Sequence, residues 1–285
     1  MKTIRDLLTH LYPRNEDTWL AAEILLSHIL NVSRAYLHTW PDEIIATHLQ
    51  AEFTAYMARY LAGEPIAYLI GAQDFWTLTL KVTPDTLIPR PETESLVALA
   101  LQKFPVDATI HIADLGTGSG AIALAIAHER PKWTVYATDA DENALNVAKE
   151  NASLLKINNV IFQQGNWLSA LPRQGFDAII SNPPYIEKGD EALSLNVLKY
   201  EPSSALFAEE KGLADLAFII AEAKHYLKPG GYLLLEHGFN QAKDVARLLE
   251  TANFDAIILH QDLAGLDRLT EAKMFECNGF MLRLY

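Results

Sequence analysis

Pro183 and Pro184 follow the apolar run Phe176-Asp177-Ala178-Ile179-Ile180 with only Ser181 and Asn182 between. Such a run reads as a buried parallel strand. Two consecutive prolines donate nothing to a sheet ladder, and each drives the residue before it out of the helical region. The strand therefore has to stop here in a stiff, extended loop. Asn182 is left at the strand's carboxyl end, the edge at which open α/β sheets bind ligands. A Pro-Pro pair also occurs where a strand simply ends, so taken alone the loop permits either a plain stop or a site with rigid hydrogen-bond acceptors.

Around that strand the chain alternates between strand and helix patterns from Thr109 onward, which predicts a mostly parallel sheet with helices on both faces. Expected strands are Ile110 to Leu115, Trp133 to Thr138, Val160 to Gln163, Phe176 to Ser181 and Tyr232 to Glu236. A helix is expected from Leu213 to Leu227, stopped by Lys228-Pro229-Gly230-Gly231. After a helix from Asn240 to Thr251, Ala256 to His260 and Gly279 to Leu284 are expected to close the sheet as edge strands.

The first part reads differently. Ile4, Leu7, Leu8 and Leu11 fall at helical spacing, the pattern repeats over Trp19 to Leu30 and Glu43 to Leu61, and no glycine precedes Gly63. Residues 1–72 are thus expected to form a small helical domain. The period changes at Gly71, and the alternating segment Phe75 to Val82, with a turn at Thr83-Pro84-Asp85-Thr86, predicts a β-hairpin linker over residues 73–88. Pro89-Arg90-Pro91-Glu92 then leads into a helix from Glu92 to Leu101, at the head of a domain over residues 89–285. Arg90 and Glu92 stand there either as capping charges or as groups for a ligand.

The formal charge of −13 argues against broad electrostatic capture of nucleic acid or an anionic membrane surface. With the single cysteine Cys277 no internal disulfide can form, and the histidines show no metal-ligand spacing, so no metal is expected. The charged amino terminus and the lack of any apolar run of about 18 residues lead to an expectation of a cytoplasmic protein without a membrane span.

Three strand ends carry residue types that suggest a ligand. Gly116-Thr117-Gly118-Ser119-Gly120 lies where the first strand turns into a helix, so that backbone N–H groups can approach a bound molecule. Its spacing departs from Gly-x-Gly-x-x-Gly, because Ala121 stands where the third glycine would fall. Asp139 ends the second strand about 20 residues on, where an acid accepts ribose hydroxyls. Trp167 follows the third strand, either as a core aromatic or as a flat face for a base.

Together these features resemble a class I S-adenosylmethionine-dependent methyltransferase. The resemblance implies a Rossmann-like, mostly parallel seven-stranded sheet, with Gly116 to Gly120 under the methionine end of the cofactor, Asp139 on the ribose and Trp167 by the adenine. Asn182-Pro183-Pro184-Tyr185 is similar to the motif of enzymes that methylate a planar, conjugated nitrogen. Such a nitrogen is a poor nucleophile, so a site should accept both N–H bonds and aim it at the methyl donor. The side-chain oxygen of Asn182 and the carbonyl of Pro183 supply two acceptors, and the Tyr185 ring covers the planar face. As charge grows on the nitrogen these bonds strengthen, and no general base has to act first.

The resemblance then widens to Gly71 with Phe75, Leu87 to Glu94, Glu201-Pro202, Leu235-Glu236-His237-Gly238 with Gln241, and Asp262 to Arg268. This set is similar to the HemK-type protein-(glutamine-N5) methyltransferases. It implies that the glutamine of the Gly-Gly-Gln tripeptide in class I peptide chain release factors is the substrate. It further implies that Asn182, Pro183, Pro184, Tyr185, Arg90 and Glu92 meet that substrate, that Asn182 also borders the cofactor, and that a helical first domain helps hold the release factor. A monomer is expected. A glutamine methyltransferase for a ribosomal protein shares the chemistry. A DNA adenine methyltransferase shares the loop but calls for a basic recognition region, absent here. A nicotinamide oxidoreductase conflicts with Ala121 and lacks a hydride-site histidine, and a non-catalytic module would leave Asn182 without a purpose.

Overall fold

A computed structural model describes residues 2–9, 16–173, 175–189 and 195–275. Met1–Ala72 with Leu195–Tyr200 make one unit, and Gln73–Ser194 with Glu201–Tyr285 the other. In the first, α1 (Ile4–Thr9), α2 (Glu16–Leu30), α3 (Arg34–Thr39), α4 (Thr47–Leu61) and α5 (Ile66–Ile70) surround a core of Ile4, Leu7, Leu25, Leu26, Phe53 and Met57. Leu11, expected in the first helix, lies outside the described residues. Ser33 caps α3, accepting the Tyr36 N–H, and Gly71 ends α5 at φ +72°, where a side chain would be strained. Pattern reading had no reason to assign α9 (Leu195–Tyr200) to this unit, yet Tyr200 donates to the Ala62 carbonyl at 3.4 Å. Gly63 leaves room for Asn196, which a Cβ would strike.

The boundary falls just inside a hairpin of β1 (Ala72–Phe75) and β2 (Leu78–Lys81), paired across Trp76-Thr77. Trp76 takes φ +58° and its N–H donates to the Glu94 carboxylate at 2.8 Å. The hairpin thus turns earlier than Thr83 to Thr86, because a tertiary contact holds a bulky residue in a left-handed turn. The helix expected from Glu92 is a 3₁₀ turn, Pro91–Thr93, followed by α6 (Glu94–Lys103).

The main sheet comprises β3 (His111–Leu115), β4 (Thr134–Asp139), β5 (Val160–Gln164), β6 (Phe176–Ser181), β9 (Leu227–Glu236), β10 (Phe254–Gln261) and β11 (Asp267–Met274), in the order β10-β11-β9-β6-β3-β4-β5. β7 (Ile186–Glu187) and β8 (Phe207–Ala208) pair separately. β9, β6, β3, β4 and β5 run parallel, and β11 is antiparallel to both β9 and β10. The edge pair is therefore β10 and β11; Gly279 to Leu284, expected as a strand, lies outside the described residues. β9 already begins at Leu227, with Phe176 opposite it and a register shift before Ala178, so Lys228-Pro229-Gly230-Gly231 is an irregular strand start and not the end of a helix.

Side chains alternate between two apolar layers, as a pleat requires. Ile112, Ala178 and Leu234 face α6, α7 (Ala121–Glu129) and α8 (Glu142–Leu155). Ala113, Ile179 and Leu235 face α11 (Ala214–Ala223) and α12 (Ala242–Thr251), while the short α10 (Glu209–Gly212) is broken by left-handed Glu210 and Lys211. The connections leave β3 toward β4 on one side and return to β6 on the other, which opens a crevice at the carboxyl ends of these strands.

Candidate active site

A cavity occupies that crevice, and its lining includes Gly116, Gly118, Asp139, Trp167, Asn182 and Pro184. The loops after four neighbouring strands therefore meet in one place. Of the glycine-rich turn only Gly116 and Gly118 border the cavity. Thr117 and Ser119 turn inward: the Thr117 hydroxyl donates to Asp114 at 2.6 Å, and the Ser119 carbonyl accepts from Asn151 at 2.9 Å. At Gly120 a Cβ would crowd Leu124 at 2.9 Å, so this glycine serves the packing of α7.

Asp114 anchors the turn from below. Its Oδ2 also accepts the Ala123 N–H at 3.1 Å, satisfying one of the free donors of α7's first turn, while Oδ1 is buried without a partner. Burial drives its carboxyl up to about 7 against the opposing hydrogen bonds from Thr117 and Ala123. The sequence reading had Asp114 only as a residue of the expected strand Ile110 to Leu115.

Asp139 does more than end β4. Its Oδ2 accepts the Gly118 N–H at 2.8 Å and its Oδ1 the Asp141 N–H at 3.0 Å. Asp139 also lines the cavity, and a carboxylate oxygen can accept more than one hydrogen bond. Burial raises its pKa, opposed by those backbone hydrogen bonds. Trp167 stands at φ +50°, a conformation uncommon for an aromatic residue. Its indole N–H donates to Asp215 at 3.2 Å, its carbonyl accepts from Thr138 at 3.2 Å, and a Cβ on Gly116 would come 3.0 Å from its ring. The ring thus forms a wall of the cavity, directly over a position that only glycine fits.

Asn182 is half-buried and Pro183 and Pro184 are buried. The Asn182 amide donates from Nδ2 to Thr93 Oγ1 at 3.1 Å, and the Thr93 hydroxyl donates to Glu236 Oε2 at 2.7 Å. Tyr185 donates its phenol to the other oxygen, Oε1, at 3.2 Å. Burial, followed by the charge of Glu236, holds the Tyr185 phenol well above its ordinary value, so it stays a donor. Gln241 braces the loop from behind, giving its amide N–H to the Tyr185 carbonyl at 2.9 Å while its Oε1 accepts from Gly238 at 2.8 Å. Gly212, at φ +80°, lets the chain pass the Tyr185 carbonyl where a Cβ would collide.

Arg90 and Glu92 behave differently from the rest. Arg90 forms an ion pair with Glu201 at 2.6 Å, and Glu201, only 1% exposed at its side chain, also accepts the Ile88 N–H at 3.2 Å. Glu92 is exposed. Neither is among the residues that line the cavity.

With this geometry in view, a family profile described as "Methyltransferase small domain" matches residues 94–199, and one described as "PrmC N-terminal domain" matches residues 4–71. A release factor glutamine methyltransferase of Coxiella burnetii is 50% identical over 254 residues, spanning 89% of this chain and 91% of that protein. The chain belongs to the release factor glutamine methyltransferases. A relative of the same name from Vibrio cholerae is 49% identical over 88% of each chain. A solved methyltransferase from Pyrococcus furiosus, 18% identical, shares the fold with a TM-score of 0.53 over 78% of this chain and 99% of that one. The expected class I methyltransferase fold, a mostly parallel seven-stranded sheet with a helical amino-terminal region, is thus the one observed.

In this candidate site, the sequence reading gave no role to Thr93, Glu236, Asp215 or Gln241. Thr93 and Glu236 did lie inside segments quoted for the resemblance, Leu87 to Glu94 and Leu235 to Gly238. What a pattern could not show is that the two meet.

Proposed function

We propose that the protein transfers a methyl group from S-adenosyl-L-methionine to the side-chain amide nitrogen of the glutamine in the Gly-Gly-Gln tripeptide of class I peptide chain release factors. The observation that carries this reading is that Asn182 and Pro184 border the same cavity as Gly116, Gly118, Asp139 and Trp167, so an acceptor loop and a cofactor cradle adjoin. Membership of the family supports the choice of substrate.

The residues suit the cofactor. Gly116 and Gly118 bring no side chain of their own to the cavity, Asp139 retains acceptor capacity for ribose hydroxyls, and the Trp167 ring offers a flat apolar face to adenine. When bound, S-adenosyl-L-methionine supplies an electrophilic methyl group. The chain's own part is to bind and aim the glutamine amide. Asn182 Oδ1 and the Pro183 carbonyl accept its two N–H bonds, and Tyr185 flanks its planar face. These acceptors lie on a loop that two prolines, Gln241 and Glu236 keep rigid, so they need little reorganisation as positive charge develops on the nitrogen. The nitrogen releases a proton only after it has become the stronger acid.

The helical domain, residues 1–72, is proposed to bind the body of the release factor. The protein is taken to act as a monomer in the cytoplasm, with no nucleic acid, membrane or metal as partner. The charge of −13 speaks against nucleic acid and an anionic membrane surface as partners, and no described helix is long and apolar enough to cross a membrane.

Mass spectrometry of an intact release factor incubated with protein and donor tests the reading. Gain of one CH₂ on the glutamine of the tripeptide is expected, more efficiently than on a Gly-Gly-Gln peptide, with the difference narrowed by deletion of residues 1–72. A gain on a ribosomal protein instead would overturn it.

A further inference from the structure

An asparagine side chain has two nearly isosteric edges with opposite function. Turned one way, Asn182 presents a carbonyl that can accept an N–H of a substrate amide; turned the other, it presents an NH₂ group to another NH₂ group and binding is lost. Thr93 alone does not decide between them, because a hydroxyl both donates and accepts. Its neighbour decides. Glu236, 1% exposed at the end of β9, has Oε2 at 2.7 Å from Thr93 Oγ1, and a carboxylate can only accept. The single hydrogen of Thr93 is therefore committed to Glu236, and only lone pairs remain for Asn182. Its Nδ2 fills that position at 3.1 Å, which turns Oδ1 away from Thr93. The second carboxylate oxygen is engaged by Tyr185 at 3.2 Å, so one group braces both the acceptor and the flanking ring.

We propose that Glu236 is a positioning residue which, through the Thr93 hydroxyl, fixes the Asn182 amide with its oxygen toward the substrate. The assignment rests on the functional reading above. Protonation of Glu236 reverses the chain: its O–H donates to Thr93, the Thr93 hydrogen is freed, and Asn182 is then drawn round with its carbonyl facing Thr93. Burial drives this carboxyl up to about 7, against the lowering effect of Thr93, Tyr185 and Arg268 and with the raising effect of Glu92. His237, the next residue, is turned onto Thr270 at 2.8 Å. Turnover is therefore expected to fall as the pH drops through about 7.

The test measures kcat and KM against pH for wild type, Thr93→Val, Thr93→Ser and Glu236→Gln on an intact release factor, with the product verified by mass spectrometry. Thr93→Val should lose about 10- to 100-fold in kcat, as for removal of a preorganised transition-state contact, with little change in KM for the donor. It should also lose the acid limb, since Glu236 no longer communicates with Asn182. Thr93→Ser should recover most of kcat and keep the limb, and Glu236→Gln, which cannot ionise, should lack it. A readout independent of turnover is the ¹³C carboxyl titration of Glu236, whose midpoint should rise in Thr93→Val. Normal kcat in Thr93→Val, an acid limb that survives in it or in Glu236→Gln, or an unmoved titration would overturn the relay alone. A wild-type protein that leaves the release factor unmodified would overturn the functional reading.

Discussion

Asp139 accepts the backbone N–H of Gly118 at 2.8 Å, tying the end of β4 to the glycine turn that follows β3. One carboxylate thus shapes the glycine turn while bordering the same cavity. Its two jobs are linked.

Asp139→Ala is accordingly expected to weaken donor binding twice over, by loss of contacts and by loosening of the turn. Charge-assisted hydrogen bonds of this kind contribute about 1.5–3 kcal/mol each. Calorimetry of a folded variant that still binds S-adenosyl-L-methionine with wild-type affinity would remove Asp139 from the site.

Gly116 and Gly118 both lie at positive φ, +69° and +56°, but only at Gly116 would a Cβ reach the Trp167 ring, at 3.0 Å. Alanine at either position should cost about 1 kcal/mol in backbone strain. Gly116→Ala should in addition shift the fluorescence of the protein and weaken the donor more than Gly118→Ala does. Equal effects of the two substitutions would show that Trp167 does not wall the cofactor.

Asn182→Ala should lower kcat by about 10²-fold or more, the usual result of deleting a preorganised partner of developing charge. Being half-buried at the cavity wall, it supports little of the core, so the melting temperature should hold. Near-normal turnover would exclude Asn182 from the reaction.

Arg90 offers a discrimination between support and recognition. Removing it strands the Glu201 carboxylate, which is buried against Ile88, and breaking one half of such a pair costs about 3 kcal/mol. Arg90→Ala should therefore lower the melting temperature by several degrees. An unchanged melting temperature with a raised KM for the release factor would instead mark Arg90 as a substrate contact.

Asp114 sets a pH dependence of stability. Its carboxyl, raised to about 7 chiefly by burial, binds its proton more tightly in the folded chain than in the unfolded one. The resulting stabilisation is complete below the ordinary carboxyl range near pH 4 and is lost as the pH rises through about 7. The melting temperature of wild type minus that of Asp114→Asn should fall over this window and level off above it, other carboxyls contributing equally to both. A difference that rises with pH would contradict the burial of Asp114.

What was legible in the sequence is what short-range chemistry dictates. Pro183 and Pro184 had to stop β6, Gly116 to Gly120 had to turn sharply into α7, and the apolar runs around them had to be buried strands, because backbone freedom and the two-residue pleat act over a few neighbouring residues. The crevice at the strand ends followed from that alternation. Long-range pairing was decided elsewhere. Asp267–Met274 became β11 by pairing antiparallel with β9 on one side and β10 on the other, a place that its own mixed polarity does not announce. Trp76 turns the hairpin because Glu94 receives its N–H. Thr93 and Glu236 stand 143 positions apart, and their hydrogen bond exists only because α6 and β9 are packed into the same layer. A hydroxyl and a carboxylate acquire polarity toward Asn182 from that proximity alone, so the direction in which Asn182 points belongs to the tertiary structure and to no local pattern.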